Sequence, residues 1–212
     1  MSASATCSPM IAAVAVCIGV APCAAGCHSP PPECWGDCSL PGILIVGMRD
    51  DSGNFVEVHD GDAVDLTLPV QGGHVLFVAA RVQNMEKRGV TLVGRLRDPV
   101  SLSVMAQDQR QIDFVDPAPN GFGQPDLADT SQVANITVCP DYLTRDVVAQ
   151  DWILDVSVSD SRRVAVEVSH HVIPSCRQTD AAGLASCQCE CLGCYFLGKC
   201  GGASALVGCD GG

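Results

Sequence analysis

Between residues 42 and 174 the apolar side chains recur with a period of two, the spacing that places them on one face of a β-strand. Val64, Leu66, Leu68 and Val70 alternate with Asp65, Thr67 and Pro69, and Val90, Leu92, Gly94 and Leu96 alternate with Thr91, Val93 and Arg95. Ala134, Ile136 and Val138 form a third set. Trp152, Leu154, Val156 and Val158 face one way, with Asp155, Ser157 and Ser159 opposite. Val164, Val166, Val168 and Val172 repeat the pattern, with Glu167 and Ser169 outward. Residues 43–48 and 74–82 are apolar on both faces and read as central strands. Turn-forming residues punctuate these runs: Asp50-Asp-Ser-Gly-Asn54, Asp60-Gly-Asp62, Gln71-Gly-Gly73, Lys87-Arg-Gly89 and Ser159-Asp-Ser-Arg162. Residues 152–172 read as one β-hairpin. About seven to nine short strands at this spacing, with no convincing amphipathic helix, predict an all-β fold, an antiparallel β-sandwich.

The segment resembles the immunoglobulin-like and fibronectin-like sandwiches of bacterial envelope proteins. It lacks the inter-sheet cysteine pair of antibody domains, so the resemblance is one of architecture. Four parts are expected: a signal peptide over 1–26, a proline- and cysteine-rich tether over 27–41, the sandwich over 42–175, and a cysteine-rich C-terminal segment over 176–212.

The amino end changes the picture from a fold to a location. Residues 10–26 open on a uniformly apolar run, too short to span a bilayer and suited to a signal-peptide core. Ala24-Ala25-Gly26-Cys27 resembles a bacterial lipobox, which implies lipidation of Cys27 and a membrane anchor. Position 24 is Ala rather than Leu, and no Lys or Arg precedes the run. The competing reading is plain secretion or a periplasmic protein. Lipidation at Cys27 would leave Cys34, Cys38, Cys139, Cys176, Cys187, Cys189, Cys191, Cys194, Cys200 and Cys209, an even ten available for disulfides. His28 after the anchor, rather than Asp, points by the same resemblance to the outer membrane. Pro30, Pro31, Pro32 and Pro41 hold the following stretch extended, as a tether, and Cys34-Trp-Gly-Asp-Cys38 is spaced to close a small structural loop.

Fourteen cysteines among 212 residues would be thiols or metal ligands in a reducing compartment and disulfides in an oxidising one. Cys139 and Cys176 flank the 152–172 hairpin, whose ends meet, so a Cys139–Cys176 bridge is expected, worth roughly 3–4 kcal/mol in the chain-entropy model. The tail Cys187-Gln-Cys189-Glu-Cys191-Leu-Gly-Cys194-Tyr-Phe-Leu-Gly-Lys-Cys200, followed by Cys209, has too few aliphatic residues to fold on apolar burial. Its spacing resembles both the end of an EGF module and a metallothionein cluster. Export favours a disulfide-rich appendage. The alternative is Zn or Cu binding by the tail thiolates.

Charge and motifs narrow the function classes. A net charge of −12, with 24 acidic residues against 12 basic, argues against a nucleic-acid partner. No GxSxG, HExxH or phosphate-binding glycine loop occurs, so no catalytic residues and no cofactor are expected. His59, His74, His170 and His171 form no HxH pair, and adjacent strand residues point to opposite faces. They read as surface or half-buried histidines, not metal ligands. The long loop from Asp116 to Asp129 offers Phe122 for recognition, or Asp116, Asp126 and Asp129 for Ca²⁺, a minor reading because its spacing matches no EF-hand. Together with the ends, these features resemble the envelope lipoproteins of myxobacteria that carry CxCxC tails. The resemblance implies a non-catalytic surface protein with a binding or structural role, meeting another envelope protein or a polysaccharide.

Overall fold

A computed structural model describes residues 33–140, 145–192 and 195. The expected signal peptide, the lipidation residue Cys27 and the tail cysteines Cys194, Cys200 and Cys209 lie outside the described residues.

In chain order the strands are β1 (Cys34–Trp35), β2 (Ile43–Arg49), β3 (Phe55–Glu57), β4 (Asp62–Leu66), β5 (His74–Gln83), β6 (Met85–Glu86) and β7 (Val90–Arg97). There follow β8 (Val104–Ile112), β9 (Asp116–Pro117), β10 (Gly123–Gln124), β11 (Ala134–Cys139), β12 (Trp152–Ser159) and β13 (Ala165–Cys176), then the helix α1 (Ala181–Glu190). The fold is all-β apart from that helix.

Two main sheets form. In the first, β3 pairs with β2 and β2 with β5, while the far edge of β5 is shared by β11 and β10, and β10 continues to β9. The second runs β4-β13-β12-β7-β8. The expected 152–172 hairpin forms, with Trp152 opposite Val172 and Ser159 opposite Ala165. Pairing is antiparallel except between β4 and β13, which run parallel from Val172–Asp62 to Cys176–Leu66. The parallel pair arises because β4 does not form a hairpin within its own sheet. The chain passes from β4 into β5 of the other sheet, through Pro69 and a turn in which Gly72 and Gly73 take positive φ.

Inward residues of both sheets share one apolar cluster. Val46, Leu76, Val78, Ala80 and Ile136 from the first sheet join Leu92, Leu96, Leu154, Val156 and Val158 from the second. The sheets approach closely at Gly94, where an added Cβ would stand 2.9 Å from Ile136 Cδ1. The sequence period of two reports these inward faces, but not every member of each set. Leu68 and Val70 lie beyond the end of β4 and are exposed, and Val93, grouped with the outward residues, is buried.

Strand β5 is buried along nearly its whole length, as its two-sided apolar run predicts. Val75, Phe77 and Ala79 face away from the main core into a second cluster with Leu127 and Val133. The long acidic loop supplies this cover. Leu127 is buried, its carbonyl accepts from Arg49 Nε at 2.6 Å, and the Arg49 guanidinium lies 5.8 Å from the Phe77 ring centre. Asp126 accepts from the Ala128 amide and Asp129 from the Ser131 amide, so these two carboxylates cap their own turns. Phe122 is half-buried.

Part of the expected tether is attached to the sheets. β1 pairs with β6, and the Trp35 indole donates to the Phe114 carbonyl at 2.5 Å. The ring lies where a side chain on Gly123 would have to be, under the Lys87 ammonium at 4.9 Å. Cys34 and Cys38 form the small disulfide loop that their spacing predicts. The β12–β13 turn reaches this loop through Arg162, which donates to Asp160 and to the Cys38 and Asn84 carbonyls.

Two elements depart from the sequence reading. β8 is a polar edge strand without a clear period, held by pairing to β7 from Val90–Ile112 to Arg97–Val104. Asp155, expected outward, is only 3% exposed. It sits on the outer face of the second sheet, but Arg97 forks over it, with Nη2 donating at 2.8 Å, and Ser169 donates at 2.7 Å. Burial raises the Asp155 carboxyl, but hydrogen bonds from Arg97 and Ser169 and the charges of Arg97 and Arg95 outweigh that and hold it below the ordinary 3.8. A depressed folded-state pKa stabilises the protein above the unfolded value and loses that contribution as pH falls through the folded one. Asp155→Asn is therefore expected to lower the urea midpoint near neutrality, and the gap from wild type to close in acid well below 3.8. Denaturation curves at the two pH values check this, and a gap independent of pH would count against it.

Candidate functional site

The least expected arrangement lies where β4, β11 and β13 end and β5 begins. His74 opens β5 directly after the Gly72-Gly73 turn. Gly73 approaches the facing strand so closely that a Cβ there would stand 2.6 Å from the Cys139 carbonyl oxygen. Cys139 ends β11 opposite His74 in the strand register. Cys176 ends β13 opposite Leu66. The fourth wall is α1, capped by Asp180, whose Oδ1 accepts from the Gly183 amide at 2.7 Å.

The helix is barely amphipathic, which is why the apolar period does not reveal it. Its sulfurs hold it instead. Cys187 and Cys191, four residues apart, lie on one face. Cys139 bridges Cys191 with a Cα–Cα distance of 5.0 Å, and Cys176 bridges Cys187 at 5.9 Å. The expected Cys139–Cys176 bridge is thus replaced by two bridges to the helix. The hairpin argument fails because β13 runs on past Val172 beside β4, carrying Cys176 along the second sheet while Cys139 stays in the first. Helix α1 lies between the two cysteines. The adjoining chain reinforces the junction: the Val147 amide donates to the Cys191 carbonyl at 2.9 Å, and the buried Trp152 indole donates to the Val147 carbonyl at 3.1 Å. Cys189, between the two anchors, is disulfide-bonded as well.

Within this junction His74 is 0% exposed. Its Nδ1 lies 3.1 Å from Glu190 Oε2, and the other carboxylate oxygen accepts from the Ser186 hydroxyl at 3.0 Å. Burial pushes the His74 imidazole below its ordinary value of 6.5, and the opposing pull of the Glu190 charge and hydrogen bond is the smaller effect. A neutral ring against a carboxylate carries its proton on Nδ1, leaving Nε2 as a lone pair. That Nε2 is buried and has no hydrogen-bond partner among the described residues. An orphaned buried acceptor costs about 1–3 kcal/mol. Cys187, Cys191 and a His74 ring nitrogen present ligand atoms within 4.8 Å of one another, among the described residues the one cluster of three or more metal-capable groups.

Full burial of His74 corrects its reading as a surface or half-buried histidine, because β5 is covered on both faces from its first residue. The other described histidines are where the sequence places them. His59 stands exposed between Glu57 and Asp62, both at 3.4 Å. His171 meets Asp151 at 3.0 Å on the surface, and His170 is half-buried. Asp116, Asp126 and Asp129 do not converge on a cation position. A shallow cleft of about 140 Å³ opens at the β3–β4 edge, lined in part by Met48, Asp62, Asp65, Thr67 and Arg177. The sequence reading missed the convergence of His74 and Glu190. A signal for part of it exists: Asp180 before Ala-Ala is a helix start, and the 187/191 spacing then sets both sulfurs toward the core. No sequence signal pairs His74 with a residue 116 positions away.

No protein-family model matches the chain, and no curated protein is a match for it. The class of protein is therefore defined by the fold and the site alone: an all-β protein cross-linked by disulfides at both ends of its sheets.

Peptide mapping without reduction is expected to recover Cys139–Cys191 and Cys176–Cys187 as separate pairs, with no Cys139–Cys176 peptide. The Cys139→Ser, Cys191→Ser double variant opens a loop of 52 residues and is expected to lose about 4 kcal/mol by loop entropy. Equilibrium denaturation measures it.

Proposed function

We propose that the protein is a non-catalytic lipoprotein of the bacterial cell envelope, exported by its signal peptide, anchored through Cys27 in the outer membrane and displaying an immunoglobulin-like sandwich on a short tether. The observation that carries this reading is the cross-linking itself. Cys139, Cys187 and Cys191 are buried to within 1% exposure and paired, in the manner of proteins that fold in an oxidising compartment. The even set of cysteines left after a lipidated Cys27 supports it further. Two sheets around one shared core, with loops at both ends, support the sandwich architecture. The displayed faces serve binding or structural contact with another envelope protein or a polysaccharide. The acidic surface is unsuited to nucleic acid.

Intact mass of the exported protein is expected to show an N-terminus at Cys27 carrying acyl chains and ten hydrogens fewer than the fully reduced chain. Cys27→Ser is expected to move the protein from the membrane fraction to the soluble one. An unacylated mature chain with free thiols, or robust turnover on a panel of hydrolase substrates, would overturn the reading.

A further inference from the structure

Two observations at the α1 junction are unexplained by a purely structural role for its sulfurs. His74 Nε2 is one of three buried side-chain polar atoms with no hydrogen-bond partner among the described residues, with Asn135 Oδ1 and Gln178 Oε1. The sulfurs of Cys187 and Cys191 crowd the same ring within 4.8 Å. Their disulfide partners, Cys139 and Cys176, are bonded to these sulfurs but are not themselves among the three mutually close groups.

The ring also has the carboxylate partner that metal-ligating histidines commonly have. In metal centres a histidine commonly gives its second N–H to a carboxylate, which fixes the tautomer and aims the lone pair at the ion. Glu190 stands at that position, 3.1 Å from Nδ1, and is itself held by Ser186. Nothing about a disulfide requires such a pair.

We propose that this junction is a redox-gated zinc site: oxidised, it is two disulfides; reduced, it binds one Zn²⁺ through His74 Nε2 and the thiolates of Cys139, Cys187 and Cys191, with Glu190 holding the imidazole. Three sulfurs and one nitrogen suit tetrahedral Zn²⁺, which has no redox chemistry of its own. In the oxidised form the Cys139 sulfur stands outside the three-group cluster. Released from Cys191 on reduction, it supplies the third thiolate from the end of β11, which faces His74 in the strand register, whereas Cys176 is half-buried on the other sheet. The conversion balances. Each disulfide takes two electrons and two protons from a protein dithiol, which becomes a disulfide. Zn²⁺ then displaces the thiol protons of its three cysteines to solvent. Reoxidation by a disulfide-bearing partner reverses both steps and expels the ion. Either clamp fastens α1 to the sheets. The reduced, metal-free protein has neither, and a ten-residue helix with little amphipathic character does not stay docked by itself. The site uses core cysteines and a histidine, so it is independent of the anchoring proposed above.

The test uses the full chain. Oxidised protein is expected to take up no Zn²⁺ at this site. After anaerobic reduction with a phosphine and titration with Co²⁺ as a spectroscopic stand-in, a tetrahedral centre with a mixed sulfur–nitrogen shell is expected by visible and X-ray absorption. His74→Asn is expected to remove the nitrogen from that shell, and Glu190→Gln to weaken binding by roughly 10- to 100-fold. The intact mass and far-ultraviolet circular dichroism of each oxidised variant report that it has folded. Should His74→Asn fail to fold, Glu190→Gln decides. An all-sulfur shell would assign the ion to the other thiols and overturn the proposal. So would affinity unchanged in the folded variants, or no uptake by reduced wild type.

Discussion

Burial of β5 on both faces is the constraint on which the rest of the structure depends. A strand covered on both sides needs a partner along each edge and an apolar layer above and below. The edges are met by β2 on one side and by β11 and β10 on the other. The inner layer is the second sheet, and the outer layer is the loop that carries Leu127 and Val133. This explains why a stretch with the composition of a mobile acidic loop is folded down. Leu127 and Val133 supply the apolar cover that β5 needs, and Asp126 and Asp129 cap their own turns.

The same strand places the site. β5 begins at His74, so the end of the most buried strand brings an imidazole into the interior beside the last residue of β11. At this junction α1 is held to both sheets by two disulfides. Disulfides replace packing where the chain has run out of aliphatic side chains, consistent with the composition of residues 176–212. The tail is therefore an appendage only in part. Its first turns are covalently part of the core, with Cys187 and Cys191 in the same buried cluster as Trp152 and Val138.

Charged groups refine the sheets without organising them. Asp155 lies opposite Arg95 across β7 and β12, and it is covered because Arg97, two residues along β7 on the same face, reaches it diagonally. Arg162 ties the β12–β13 turn to the disulfide loop at Cys38. In each case the polar pattern along one strand looks solvent-facing, and a long side chain from elsewhere covers it.

The sequence by itself determined the strands with an alternating pattern, the two-sided burial of β5, the 152–172 hairpin and the Cys34–Cys38 loop. Each follows from contacts between residues close in the chain or from a period that any β-strand imposes. β8 and α1 escaped because neither has a periodic apolar face. One is held by ladder hydrogen bonds to β7 and the other by covalent bonds. Only the tertiary structure decided that Cys139 joins Cys191 and Cys176 joins Cys187, and that His74 meets Glu190. Those pairings depend on which sheet each strand end belongs to, which is set by the parallel β4–β13 register and the crossing from β4 to β5. Side-chain period records the face of a strand and not the sheet it joins, so the chemistry at the α1 junction could not be read before the sheets were assembled.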